Sequence, residues 1–116
     1  MRTQISIPHL KKQCTIKHIA IFGGADVDAM HPLYQEAYKV ARYLAYHGKV
    51  IINGGGPGVM NAATEGAESV GGQTLAVTFF PKDMPNFEGR FGENKVDKEI
   101  KTANYIERMF TLMYHA

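Results

Sequence analysis

The run Val50-Ile51-Ile52-Asn53-Gly54-Gly55-Gly56-Pro57-Gly58-Val59-Met60 constrains this chain most, because an apolar strand leads directly into a glycine-rich turn that opens a helix. Glycines at such a junction let backbone N–H groups approach a ligand with no Cβ in the way, and the first helical turn offers further donors to an anion. The run matches neither the G-x-G-x-x-G dinucleotide fingerprint nor the phosphate loop that ends in Lys-Ser/Thr. Two readings follow: a phosphate cradle, or a tight turn whose glycines only permit close strand–helix packing. A second pair, Gly23-Gly24, ends the first apolar strand, Ile19 to Phe22. Two successive strand-to-helix turns on one sheet edge therefore carry glycine, and parallel α/β sheets take ligands at that carboxyl edge.

The same alternation recurs along the chain. Lys17 to Phe22 reads as a strand buried on both faces. Pro32 opens a helix whose apolar positions Leu33, Ala37, Val40, Ala41 and Leu44 hold helical spacing, and Gly48 stops it. Strand Val50–Ile52 leads to a helix carrying Val59, Met60, Ala63, Ala67 and Val70, ended by Gly71-Gly72. Thr74 to Phe79 is the third strand. Phe80 to Lys98, with Pro81, Pro85, Gly89 and Gly92 among mixed charges, reads as a long functional loop. A last helix starts near Asn104, which pairs with Glu107 as a capping box, and Tyr105, Ile106, Met109, Phe110 and Met113 form its expected core stripe. This pattern predicts a Rossmann-like three-layer α/β fold with a parallel sheet over residues 17–116, after an irregular lead-in at 1–16. In a doubly wound order, stopping after the last helix leaves the first strand at an edge, so the chain reads as the N-terminal portion of a longer domain.

Charge and cysteine content exclude other classes. A net charge of +2 with scattered lysines and arginines gives no basic stripe for nucleic acid and no membrane patch. Cys14 is the single cysteine, which excludes an intrachain disulfide and fits a reducing cytoplasm. The five histidines lack metal-ligand spacing, so no metal is expected. Asp26 and Asp28 fit either a ribose contact or ordinary turn chemistry.

Asn53 to Met60 resembles the G-G-G-x-x-G-[LIV]-M motif of the LOG ("lonely guy") family, often labelled as possible lysine decarboxylases. Phe22-Gly23-Gly24 resembles that family's first strand and turn, and Arg108 falls at the arginine of its Arg-Lys pair. The resemblance implies a phosphoribohydrolase that splits AMP or a cytokinin nucleotide into base and ribose 5-phosphate, a homodimer, and no cofactor. It further implies that Gly23, Gly24, Gly54, Gly55, Gly56, Gly58, Val59, Met60, Glu88 and Met109 bind the nucleotide and that Arg108 steadies developing charge. Taken by itself, Arg108 could equally be a solvated side chain. Three departures stand out: Met109 replaces the lysine, Glu88 is one position out of register after Met84-Pro85, and the P-G-G-x-G-T-x-x-E segment with the catalytic glutamate is absent. Related molybdenum-cofactor carriers resemble this half too, so a non-catalytic nucleotide- or cofactor-binding module is the alternative. A third possibility is that the exposed edge of the first strand pairs with another copy.

Overall fold

The computed structural model describes residues 16–79 and 94–116. Its strands are β1 (His18–Ala20), β2 (Val50–Asn53), β3 (Thr74–Thr78) and β4 (Lys98–Lys101), and its helices are α1 (Pro32–Tyr46), α2 (Val59–Glu68) and α3 (Tyr105–His115). All pairings are parallel in the order β1-β2-β3-β4, with Ile19 beside Ile51, Ile52 beside Leu75 and Val77 beside Ile100. The Rossmann-like α/β architecture expected from the alternation is what the chain forms.

Side-chain alternation along β2 separates the layers. Ile51 faces Ala41 and Ala45 of α1 and Ala63 and Ala67 of α2, while Ile52 faces Leu75, Val77 and Leu112 of α3 on the other side. Alanine at four of these positions lets α1 and α2 lie close to the sheet and to each other. Strands buried on both faces need such apolar runs, and β2 and β3 have them.

The helix ends follow the sequence signals. His31 caps α1, its Nδ1 accepting from Leu33 N at 3.1 Å, and Pro32 takes the first helical position. Gly48, at φ 85°, ends α1 while Gly48 N and Lys49 N donate to Ala45 O and Leu44 O. Asn104 Oδ1 accepts from Glu107 N at 2.8 Å, and Glu107 reaches back to Ala103 N, so the expected capping pair closes α3.

Three expectations need correction. β1 is not buried on both faces: His18 is exposed and Ile19 and Ala20 are half-buried, because the strand lies at the sheet edge. No strand is expected between the long loop and the last helix, yet Lys98, where that loop ends, begins β4; Lys-Glu-Ile-Lys holds one apolar residue and only its pairing with β3 makes it a strand. Residues 80–93 of that loop, Glu88 among them, lie outside the described residues. Finally, Tyr105, Ile106, Met109, Phe110 and Met113 are not core: each is more than half exposed. The side of α3 turned to the sheet carries Arg108 and Leu112 instead.

Candidate functional site

The turn after β2 is held by side chains from three directions. Asn53, fully buried at the end of the strand, accepts from Gly55 N through Oδ1 at 2.7 Å and donates through Nδ2 to Thr64 Oγ1 at 2.8 Å. Asn94 Nδ2 donates to Gly56 O at 2.8 Å. Arg108, 8% exposed, donates from Nε to Val77 O at 3.0 Å and from Nη2 to Gly54 O at 3.1 Å. It thereby ties the carboxyl ends of β2 and β3 to α3. Its guanidinium also lies 5.8 Å from the Tyr105 ring centroid and its Nη2 reaches Met60 Sδ at 3.9 Å.

The glycines have steric reasons. A Cβ on Gly54 would overlap Arg108 Nη2 and crowd Met60 Sδ. Gly58, the N-cap of α2 at φ 69° and ψ −130°, would drive a Cβ into the Gly24 carbonyl. On the facing turn, a Cβ at Gly23 would sit 2.5 Å from Val59 Cγ1, whereas one at Gly24 would meet nothing within 4 Å. Val59 N donates to Gly24 O at 3.0 Å, so the two glycine turns are joined by backbone. Close packing thus accounts for Gly23, Gly54 and Gly58, and Gly55 N and Val59 N already have acceptors. Among the described residues, none accepts from the N–H groups of Gly56, Met60 or Asn61, which leaves three donors at the start of α2.

Beside this turn lies a cavity of about 330 Å³, lined by Phe22, Gly23, Gly54, Met60, Tyr105, Arg108, Met109, Leu112 and Met113. The structure therefore brings Gly23, Gly54, Met60, Arg108 and Met109 of the expected site onto one wall. Gly24, Gly55, Gly56, Gly58 and Val59 belong to the same two turns but do not line it. None of the described lining residues is a carboxylate. Asp28 serves its own loop, accepting from Met30 N at 3.0 Å, as turn chemistry predicts. No group of three or more metal-ligating side chains occurs among the described residues.

Sequence reasoning overlooked Asn53, Asn94 and a buried polar network behind the turn. Asparagine directly before a glycine run is a local signal for Asn53. Asn94, 38 positions from Gly56, has no such signal. In the network, Asn61 Nδ2 donates to Tyr34 Oη at 3.1 Å and Tyr34 Oη donates to Glu65 Oε1 at 2.5 Å. Asn61 Oδ1 is buried with no donor among the described residues. Burial, reinforced by the bond to Glu65, pushes the Tyr34 phenol from 10.0 up to about 12. Folded Tyr34 keeps its proton where the unfolded side chain loses it, so its stabilisation is complete below pH 10 and fades as pH rises to 12. The stability advantage of the natural chain over Tyr34→Phe is expected to shrink by roughly 2 kcal/mol across that window, read from urea unfolding at each pH.

Relatives place the chain. It is 38% identical over 71 residues to an uncharacterised protein of Archaeoglobus fulgidus, covering 61% of this chain and 46% of that one. Its fold resembles the X-ray structure of TM1055, a structural-genomics target, with a TM-score of 0.63 at 22% identity over 87% of this chain and 55% of that one. It also resembles the molybdenum cofactor carrier protein of Chlamydomonas reinhardtii, with a TM-score of 0.53 at 27% identity over 78% of this chain and 50% of that one. The chain thus spans about half the length of these relatives. No helix among the described residues is long and apolar enough to cross a membrane. With residues 16–113 matching its model, the chain belongs to the SLOG cluster4 family, within the wider LOG-related group.

Proposed function

We propose that this chain binds a nucleoside 5′-monophosphate such as AMP, the phosphate taken by the N–H groups of Gly56 and Met60 and the base by the cavity against α3. The observation that carries this reading is the juxtaposition of the glycine turn with an apolar cavity at the carboxyl edge of a parallel sheet. Its 330 Å³ fall at the lower end of the ~300–1,000 Å³ of small-molecule sites. Sulfur and aromatic side chains from Met60, Met109, Met113 and Phe22 suit a flat heterocycle.

Family membership supports a LOG-like phosphoribohydrolase as the wider activity. Cleavage of the N-glycosidic bond creates positive charge on the ribosyl carbon, which a nearby carboxylate stabilises while a base activates water. Among the described residues, the lining of this cavity supplies Arg108 and no carboxylate. In our reading Arg108 is a positioning residue: its guanidinium fixes Gly54 O and Val77 O, and so holds the turn in the shape that receives phosphate. The chain alone then binds without turnover.

Calorimetric titration is expected to detect AMP binding at least tenfold tighter than adenosine, and chromatography of the same mixture to detect no adenine. Equal affinity for both would remove the phosphate role of the turn. Adenine release by this chain would overturn the assignment of binding without catalysis. Likeness to the Chlamydomonas carrier favours a second reading, a module that binds the molybdenum cofactor in the same cavity. Titration with that cofactor in place of AMP separates the two.

A further inference from the structure

The glycine turn is a row of peptide planes, and side chains tie the planes on either side of the one that carries Gly56 N–H. A planar peptide is fixed in direction once its polar ends are held. The plane between Gly54 and Gly55 is held at both ends, with Gly54 O accepting from Arg108 Nη2 at 3.1 Å and Gly55 N donating to Asn53 Oδ1 at 2.7 Å. The Asn53 amide has one workable orientation, since Nδ2 donates to Thr64 Oγ1 at 2.8 Å and the reverse would set Nδ2 against the Gly55 N–H. The plane between Gly56 and Pro57 has a carbonyl but no N–H. That carbonyl accepts from Asn94 Nδ2 at 2.8 Å, its one hydrogen bond among the described residues. Both asparagines are fully buried. Between the two tied planes lies the Gly55–Gly56 peptide, with glycine on each side and therefore the widest freedom to swing. Among the described residues nothing accepts from its N–H.

On the nucleotide reading of this turn, we propose that Asn94 is a positioning residue of the phosphate site: by holding Gly56 O it fixes one of the two Cα atoms about which the Gly55–Gly56 peptide turns, and so keeps the Gly56 N–H where a phosphate oxygen can receive it. Asn53 and Arg108 fix the other Cα through the plane before it. The segment that carries Asn94 does not need this bond for its own anchorage. Further along it, Asp97 N donates to Thr74 Oγ1 at 2.8 Å, Asp97 Oδ2 accepts from Thr74 N at 3.1 Å, and β4 pairs with β3 from Lys98 onward. The strand entry is thus secured at Asp97, and the Asn94 donor serves the turn. A donor fixed before the ligand arrives loses little freedom when the anion binds, which raises affinity without adding a contact. The benefit falls on a phosphate monoester and not on the nucleoside that lacks it.

AMP and adenosine, each titrated calorimetrically into the natural chain and into Asn94→Ala, test the assignment. The substitution is expected to weaken AMP at least tenfold and to leave adenosine within about twofold, whereas general damage to the fold weakens both alike. In amide NMR spectra of the natural chain, the Gly56 proton is expected to move downfield with AMP and to stay in place with adenosine; in Asn94→Ala most of the AMP-induced shift is expected to vanish. A variant that keeps the natural preference for AMP, or loses both ligands equally, would overturn the proposal and leave the nucleotide reading standing. A natural chain with no preference for AMP would overturn both. Should Asn94→Ala fail to fold, the natural chain decides: a Gly56 amide that responds to AMP, together with Asn94 side-chain amide protons protected from exchange, supports the proposal. A silent Gly56 amide or a freely exchanging Asn94 side chain overturns it.

Discussion

Replacing Arg108 by alanine is expected to lower the unfolding free energy by about 3 kcal/mol, because two buried carbonyls lose a charged donor and the side chain's packing goes with it. The carbonyls are Gly54 O and Val77 O, at the ends of two neighbouring strands, and the carbon that bears the guanidinium is on α3. Urea unfolding monitored by circular dichroism measures the loss. The same contact makes a second, sharper expectation. Gly54→Ala in the natural chain forces a methyl group into the space of Nη2, for an overpacking penalty of roughly 1–3 kcal/mol. In the Arg108→Ala background that space is vacant, so the added methyl is expected to do much less harm. The double-mutant cycle should therefore show coupling of at least about 1 kcal/mol. Additive effects would mean that the glycine is required for some reason other than the guanidinium.

Gly58→Ala is the other large effect. At φ 69° and ψ −130° an L side chain is strained, roughly 1–3 kcal/mol, and its Cβ would also strike the carbonyl of Gly24. That carbonyl is the one that accepts from Val59 N, so relief of the clash breaks the link between the two glycine turns. We expect a stability loss of about 3 kcal/mol and at least a tenfold fall in AMP affinity. Gly24→Ala is the matched control. With no atom within 4 Å of its new methyl, it is expected to change stability by less than about 0.5 kcal/mol. Equal damage from both substitutions would show that steric fit between the turns is not what selects glycine at position 58.

Both results concern a feature that was half legible beforehand. The alternation of apolar strand, glycine turn and helix was readable at Val50 to Met60, and glycine before Val59 marked a place where backbone must come close. What approaches that backbone was not readable. Arg108 lies 54 positions from Gly54 and its spacing in α3 gives it no special status. Resemblance marked it as functional, and its local sequence allowed a solvated side chain equally well. Burial against β2 and β3 decided the matter. Likewise, Asn94 reaches Gly56 only because β4 joins the sheet beside β3, and β4 itself has too little apolar character to be recognised.

The apolar residues of α3 show the opposite failure. Their helical spacing identified the helix and its polarity correctly, since periodicity of 3.6 is a property of the backbone. It could not say which part of a wide apolar arc meets the sheet. Arg108 and Leu112 do so, because the guanidinium needs the strand-end carbonyls more than a methionine needs burial, and the remaining arc turns outward. Local sequence thus determined the elements, their ends and the parallel α/β class, each of which depends on neighbouring residues along the chain. Tertiary structure alone decided the tie from Arg108 to Gly54 and the exposure of α3, because each depends on which distant groups compete for the same partner or the same surface.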